Sequence, residues 1–548
     1  MLQAKRLILI EELKDKSINK PIILPYEPDK IKELLFDKVD DHYIIAKELI
    51  PILSKIDFSD VSFDNVDISG FDFTGMKGVK INPQNIHNKD LRNTICNGIE
   101  FITYTNCINV PDLFKNVIIA GTDFTGSKNA IINPQTVNNK NFRCTTLTDT
   151  EIMGTFEEAL IENTNFTNCA GAKIDPQTIY RKNLMGAKLS GLDFTDASFD
   201  DVMMSTTDFT GTTGVKINPQ TIYEKQLVGT ICNGVEFFSN RKIKKGELFV
   251  GVWIVNTDFT GSRGAVINPQ WIRLMDLSHT KLSGVKIVGN FLDVTITDTN
   301  FSGSKGAVIN PRLISHRDLS GTILKDTKIV GSFDHVRINL TNFTGSKGAK
   351  IDPQIVRGKN IENSILSDVR FVGSFDDVAI RYSDFTGSKG AIINPQTIKD
   401  KNFHGAKLAG IDFTGYSFDN TLVNNVDFTG AIGVEINAEN IFNMTLYKSI
   451  CKGVKINDLT DLVCTKDADL SEYIKGNEFS DEGTKEKTPG YNTDCVIVYY
   501  RRPKPKYTPN ERRILAYADY LLQSNDYYKR EYGKILKKNP NYGRQLWP

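Results

Sequence analysis

Basic side chains form the two groups in this sequence that could bind a ligand. One group comprises Arg241, Lys242, Lys244 and Lys245, and the other lies near the end of the chain at Arg501, Arg502, Lys504, Lys506, Arg512, Arg513, Lys537 and Lys538. Residues 500–548 hold twelve Lys or Arg and four Asp or Glu, a local charge of +8, whereas the whole chain carries a formal charge of +1. Such clusters predict contacts with an anion, a protein partner or nucleic acid. For the first group a solvated turn is the favoured interpretation, and binding of an anion or a partner is the alternative.

Residue patterns that signal catalysis are missing from the sequence. It has no Walker loop, dinucleotide glycine fingerprint, HExxH motif or nucleophile elbow. The six histidines share no recurrent arrangement with Ser, Cys or acids: His42, His87, His279, His316, His335 and His404. Eight cysteines occur without a CxxC pair, and Cys96, Cys232 and Cys451 take the same place in their repeats, which favours buried thiols over ligation or disulfides. We therefore predict a protein that is not an enzyme and has no cofactor, catalytic residue or metal site.

The chain is organised by a ten-residue segment that recurs nine times, called here the anchor segment. Its first clear copy runs from Ile81 to Asp90, and its first residue recurs at Ile132, Ile174, Ile217, Ile267, Ile309, Ile351, Ile393 and Ile436. A phenylalanine always precedes that isoleucine by eight residues. The spacings are 51, 42, 43, 50, 42, 42, 42 and 43 residues, so the unit is 42 residues long and two copies carry insertions. A fixed period of this length predicts a repeat array.

Between the anchor segments, apolar residues recur at every fifth position. A clear run is Phe403, Leu408, Phe413, Phe418, Val423 and Phe428, and this period fits neither a helix nor an extended strand. Copies such as Ala187–Gly191 and Thr257–Gly261 resemble the pentapeptide repeat family over roughly residues 56–458. The resemblance implies a mainly β fold, a right-handed quadrilateral β-helix whose four pentapeptides per coil point their central Leu or Phe inward.

The anchor segment departs from that five-residue motif. In phase, Gln220 and Lys225 would point inward, and an unpaired Lys head in an apolar core costs several kcal/mol. The segment instead has a helix-start pattern, with Asn218 as N-cap and Pro219 at the first helical position. We favour a short helix here over an irregular coil face, which would give the solenoid a row of short helices on one side. An Asp or Asn recurs at the same place in each repeat, for example at Asp72 and Asp123. We predict that these side chains form hydrogen bonds within turns.

The segments outside the repeats differ in character. Residues 1–55 read as a helical N-terminal cap, residues 56–470 as the β-helix of nine repeats, and residues 471–494 as a polar linker. Residues 495–548 read as a basic, Tyr-rich α-helical tail. The absence of a signal peptide or an apolar span predicts a cytoplasmic protein without a transmembrane segment, and a virion component is an alternative.

A regular core without reactive groups predicts a structural or scaffolding protein. We expect a rigid rod that binds protein partners within a larger assembly, through its helical side, its N-terminal cap or its tail. Nucleic-acid binding through residues 500–548 is the main alternative. The family resemblance adds a DNA-mimicking, gyrase-interacting protein or a bacterial effector as further alternatives. Partner identity, homo-oligomerisation and higher assembly remain open.

Overall fold

Each five-residue repeat folds as a short extended stretch followed by a tight turn. In consecutive pentads centred on Phe58, Phe63, Ile68 and Phe73, the central carbonyl accepts a hydrogen bond from the amide three residues later, at 3.0, 3.1, 3.1 and 3.0 Å. All four central side chains are buried. Four such turns close one coil, because residue 57 forms a parallel bridge with residue 77 of the next coil.

The computed structural model describes Arg6 and residues 9–10, 22–24, 28–103, 113–242, 244 and 246–457. The chain divides into two units, residues 1–289 and 290–548. In the first unit, Lys216–Ile217 pairs in parallel with Glu236–Phe237 of the following coil. In the second unit, Lys350–Ile351 pairs in the same way with Arg370–Phe371. Each unit is a mainly β solenoid of stacked coils, and this confirms the predicted fold class at that level.

The strands are two to four residues long. In the first unit they are Ile22–Ile23, Phe36–Val39, His42–Ile45, Ile56–Asp57, Val66–Asp67, Lys80–Ile81, Glu100–Phe101, Ile131–Ile132, Glu151–Ile152, Lys216–Ile217, Glu236–Phe237, Val266–Ile267 and Lys286–Ile287. In the second unit they are Val308–Ile309, Lys328–Ile329, Lys350–Ile351, Arg370–Phe371, Glu435–Asn437 and Lys455–Asn457.

The described helical segments are short, and the three-residue 3₁₀ segments of the anchor copies each contain a residue with left-handed dihedral angles. Pro28–Leu35 is an α-helix, and the 3₁₀ segments of the first unit are Lys47–Lys55, His87–Lys89, Asn138–Lys140, Tyr180–Lys182, Tyr223–Lys225, Glu247–Phe249 and Arg273–Met275. Those of the second unit are Ser315–Arg317, Arg357–Lys359, Lys399–Lys401 and Phe442–Met444.

The core of each unit is a stack of the pentad centres. All six residues of the run from Phe403 to Phe428 are buried, as the five-residue period predicts. Aromatic rings two pentads apart meet edge to face in the core, for example Phe199 and Phe209, whose centroids are 5.7 Å apart at 73°. Buried hydroxyls inside the core bond to backbone, as Thr257 Oγ1 does when it donates to the Leu227 carbonyl at 2.7 Å. A hydroxyl bonded in this way enters the core without leaving its polar atom unsatisfied.

The Asp and Asn ladder caps turns, as the sequence predicts. In every repeat the Oδ1 atom of this residue accepts a hydrogen bond from the amide two residues later, at 2.8 to 3.1 Å. The residues are Asp72, Asp123, Asn165, Asp208, Asp258, Asn300, Asn342, Asp384 and Asp427. An acceptor in this position stabilises the bend, which explains the preference for Asp or Asn at each copy.

The predicted short helix in the anchor segment is wrong. Asn218 Oδ1 does accept the Gln220 amide at 3.1 Å, as an N-cap would, but the chain leaves the turn at Ile222 with φ −65° and ψ 158°. Glu224 and Lys225 then both take left-handed conformations, with φ 46° and 52°. Two consecutive residues in that region form a tight turn and cannot continue a right-handed helix. The side predicted to be helical therefore carries pairs of turns.

The glutamine of the anchor segment clamps the next coil. Gln396 Nε2 donates to the carbonyls of Ser417 and Asp419 at 2.9 and 2.8 Å, and Lys401 Nζ donates to Gln396 Oε1 at 2.8 Å. The same three hydrogen bonds occur at Gln220 and Lys225 in the first unit. The lysine head is thus half-buried with a partner, and the cost of an unpaired charge does not arise.

We expect Gln396→Glu to lower the free energy of unfolding by about 1–3 kcal/mol, because a carboxylate cannot donate to the two carbonyls it would face. Urea unfolding followed by circular dichroism measures the difference. Lys399→Gln is the control, since it makes the same change of charge at an exposed side chain three residues away. Equal stability of the two variants would show that the clamp contributes nothing.

The predicted helical cap is only partly helical. Residues 36–45 form an antiparallel hairpin, Phe36–Val39 with His42–Ile45, which turns at Asp40 with φ 48°. Its second strand pairs in parallel with Val66–Asp67 of the first coil. The alternation of β-branched and aromatic residues in this stretch suits an edge strand, and pairing with the coil outweighs the weak helical pattern. The predicted linker and tail lie outside the described residues.

Candidate interaction surface

The predicted basic group at residues 241–245 lies in the loop between Ser239 and Phe249, called here the basic loop. Arg241, Lys242 and Lys244 are exposed. Two short contacts shape the loop: the Arg241 amide donates to Ser239 Oγ at 3.2 Å, and the Lys244 amide donates to Glu247 Oε2 at 2.7 Å. The remaining predicted site residues lie outside the described part of the chain, namely Lys245, Arg501, Arg502, Lys504, Lys506, Arg512, Arg513, Lys537 and Lys538.

Residues 246–249 of the basic loop pack against the solenoid. Leu248 and Phe249 are buried, and the Phe249 ring packs on Phe259 at 5.7 Å. Gly246 approaches the coil so closely that an added Cβ would lie 2.7 Å from Val288 Cγ2 and 3.5 Å from Trp271 Cζ3. The loop therefore has a defined place next to the indole ring of Trp271.

We expect Gly246→Ala to displace the basic loop and lower stability by about 1–3 kcal/mol, because the residue has φ 94° and its Cβ would overlap Val288. Gly251→Ala is the matched control: φ is 69°, but nothing lies within 4 Å of the added atom. Thermal unfolding compares stability, and protease cleavage after the lysines reports loop position. Equal effects of the two substitutions would mean that the close approach does not hold the loop.

Exposed apolar side chains surround the point where the loop is seated. Tyr223, Val250, Trp271 and Leu274, together called the Trp271 patch, come from three successive passes of the chain. The Gly251 amide donates to the Trp271 carbonyl at 2.7 Å, and Gln220 Nε2 donates to the Val250 carbonyl at 3.1 Å, so these passes are adjacent. Trp271 is 43% exposed and Leu274, on a left-handed turn, is 71% exposed. A cluster of exposed apolar side chains is typical of a surface that binds a protein or another ligand.

Charge around the patch is mostly positive. The exposed heads of Arg241, Lys242 and Lys244 are joined by Arg273, whose guanidinium lies 4.9 Å from the centroid of the Trp253 ring. Acidic groups also lie here: Glu247 accepts the Lys244 amide, Glu224 accepts from the side-chain amide of Gln226 at 2.7 Å, and Asp201 lies near Tyr223. A ligand of this surface would gain from combining acidic with apolar groups.

One position of the anchor segment marks the Trp271 patch in the sequence, because its residue type changes between copies. The fifth residue of the anchor segment is polar in six copies, at Asn85, Thr136, Thr178, Thr221, Thr397 and Asn440, and apolar in three consecutive copies, at Trp271, Leu313 and Ile355. The threonine hydroxyls serve the turn, as Thr221 Oγ1 does when it donates to the Asn218 carbonyl at 3.2 Å. Trp271 cannot make that bond. In the second unit, Leu313 and Ile355 are likewise exposed.

The three cysteines predicted to be buried thiols are all buried. Burial raises the pKa of Cys96 and of Cys232 well above the ordinary thiol range, with a smaller contribution from Asp123 and Asp258 respectively. A buried thiol with a raised pKa is a weak nucleophile, so these residues fill the core.

Comparison with known proteins identifies the repeat. A family model described as pentapeptide repeats matches in eight copies, with residues 183–213 matched. No curated protein matches the chain. Two solved structures of trypsin-treated QnrB1 variants, described as a plasmid-mediated fluoroquinolone resistance protein, are 14% and 12% identical. They cover 48% and 53% of this chain and 91% of their own chains, with TM-scores of 0.12 and 0.11, values too low to establish a shared shape.

Proposed function

We propose, since the chain is built of pentapeptide repeats, that it is a non-catalytic scaffold that binds a protein partner through the Trp271 patch and the basic loop. The observation that carries this is the exposed Trp271 beside a loop seated against its ring. Tryptophan is enriched among the residues that dominate binding energy at protein interfaces. The regular coils supply the rigid support on which such a patch keeps its geometry.

The partner that fits this surface is a protein segment with apolar and acidic side chains. Its apolar groups would cover Trp271 and Leu274, and its carboxylates would face Arg241, Lys242 and Lys244. The positive rim favours association with an acidic segment and makes its rate fall as salt rises. In the described part of the chain no helix is long and apolar enough to cross a membrane.

Isolation of the full chain from its own cells tests the proposal. The wild type is compared with the double variant Trp271→Ser/Leu274→Ser and with Met153→Ser. Met153 is the matched control, because it is also 43% exposed and stands, like Val288, twenty-one residues after its anchoring isoleucine. A partner that depends on the patch is retained by Met153→Ser and lost from the double variant. Partners retained equally by all three chains would contradict the proposal.

A further inference from the structure

Two histidines far apart in sequence meet at the start of the first unit. His42 lies in the hairpin beside the turn at residues 40–41, and His87 lies in the first anchor segment. Their rings stack with centroids 4.1 Å apart and an interplanar angle of 21°. The carboxylate of Asp41 completes the group, with Oδ1 3.4 Å from His42 Nδ1. One ligand atom from each of the three side chains lies within 4.8 Å of the other two.

Neighbouring amides orient His87. Its Nδ1 atom is 3.3 Å from Asn65 Oδ1, which can only accept, so the ring proton belongs on Nδ1. Nε2 then keeps its lone pair and accepts a hydrogen bond from Asn88 Nδ2 at 2.8 Å. Asn65 is itself held, because its amide group donates to the Asp41 carbonyl. A ring that donates one N–H to an oriented acceptor and offers the other nitrogen is how proteins present histidine to a metal ion.

We propose that Asp41, His42 and His87 bind one divalent transition-metal ion of the zinc class. Two imidazoles and one carboxylate suit Zn²⁺, and a water molecule would complete a tetrahedral set. The proposal does not depend on the partner-binding function. It assigns a ligand to the junction between the hairpin and the first coil, where metal binding would fasten one to the other.

Several side chains must move to form this site. Bonds of about 2.0–2.1 Å to a tetrahedral zinc ion require ligand atoms about 3.4 Å apart, somewhat closer than they now stand. The Asp41 side chain is 87% exposed and can rotate, and Asn88 is exposed on a turn, so its amide can leave His87 Nε2. The His42 and His87 rings must tilt out of their stack so that both lone pairs converge. The His42 side chain is 19% exposed and lies in the second strand of the hairpin.

Isothermal titration of the full chain with ZnCl₂, after treatment with a chelator, tests the proposal. We expect one saturable site, weakened more than about 10-fold by His42→Ala, His87→Ala or Asp41→Asn. His335→Ala is the matched control, since His335 lies 3.6 Å from Asp334 but belongs to no group of three potential ligands among the described residues, and it should leave the affinity unchanged. Cobalt gives a second readout, because Co²⁺ in a tetrahedral site absorbs visible light strongly and that band should vanish in the same three variants.

The metal should also raise the thermal midpoint of the wild type by several degrees, because an ion that binds only the folded chain stabilises it. Circular dichroism of each variant checks that it folds, and His42→Gln and His87→Gln serve where an alanine variant does not. Absence of a saturable site would overturn the proposal. So would zinc binding that persists unchanged in both histidine variants, because the ion would then sit elsewhere.

Discussion

Replacing Trp271 with serine should weaken binding of the protein partner by at least about 30-fold, a loss of roughly 2 kcal/mol. The indole ring is the largest exposed apolar group of the Trp271 patch and lies next to Gly246 of the basic loop. An aromatic side chain held rigidly by its neighbours contributes more to the binding free energy than its buried area alone would predict. Titration of the purified partner measures the affinity of both chains.

The fold should persist after this change. Trp271 is 43% exposed and lies next to Gly246, so Trp271→Ser removes part of the seat of the basic loop but leaves the buried pentad centres in place. The free energy of unfolding should therefore fall by about 1–2 kcal/mol. Lys242→Glu should act differently, slowing association and reducing its dependence on salt while changing the dissociation rate little. If Trp271→Ser binds as tightly as the wild type, the patch is not the contact surface.

Replacing Phe209 with alanine should lower the free energy of unfolding by about 3–5 kcal/mol. The ring is fully buried and meets Phe199 edge to face at 5.7 Å, so its removal leaves a cavity in a stack that neighbouring coils cannot easily fill. Because each repeat contacts mainly its neighbours, the loss should concentrate in the adjacent coils. The backbone amides of Phe209 and Thr212 are both hydrogen-bonded within this stack, so their hydrogen-exchange rates measure the local loss of stability.

Phe209→Leu is the control for cavity size. Leucine centres other pentads, such as Leu189, and should cost much less than alanine at this position. Hydrogen-exchange rates that rise equally across the whole unit would show that the loss of stability is not confined to the adjacent coils. An alanine variant as stable as the wild type would contradict the stacked core.

The repeat pattern predicted a repeat array, and the resemblance to the pentapeptide repeat family supplied the β-helix. A five-residue apolar period places Phe403, Leu408 and Phe413 in one core only if each pentad turns, and all three side chains are buried. The capping Asp or Asn, such as Asp384, stabilises the turn through its own side chain. Core and turn therefore agree at every copy, which explains why the resemblance predicted the fold class correctly.

The helix prediction failed because a cap determines only the first turn. Asn218 followed by Pro219 starts a helix or an Asx turn equally well, and the residues after it decide between them. Here the chain extends at Ile222 so that its side chain can enter the core, and the left-handed pair that follows returns the backbone to the next face. The Gln220 clamp across coils was not foreseeable without knowing which carbonyls lie opposite.

The basic part of the candidate surface was predicted from the sequence, and the apolar part was not. Arg241, Lys242 and Lys244 stand out as a basic cluster in an insertion, whereas the indole they lie beside belongs to the next anchor segment. The pairing of His42 with His87 was further out of reach, because it depends on the hairpin that replaces the expected helix. The basic tail at residues 500–548 lies outside the described residues, so nucleic-acid binding by it stays a prediction.

Photo-crosslinking in the chain's own cells tests the proposed interaction most directly. A photoreactive amino acid replaces Leu274, which is 71% exposed within the Trp271 patch, and Met153 in the control chain. We expect position 274 to yield a discrete protein adduct that position 153 does not, with the contacted segment rich in acidic and apolar residues. The same adducts from both positions, or adducts at 274 that are nucleic acid only, would contradict the account.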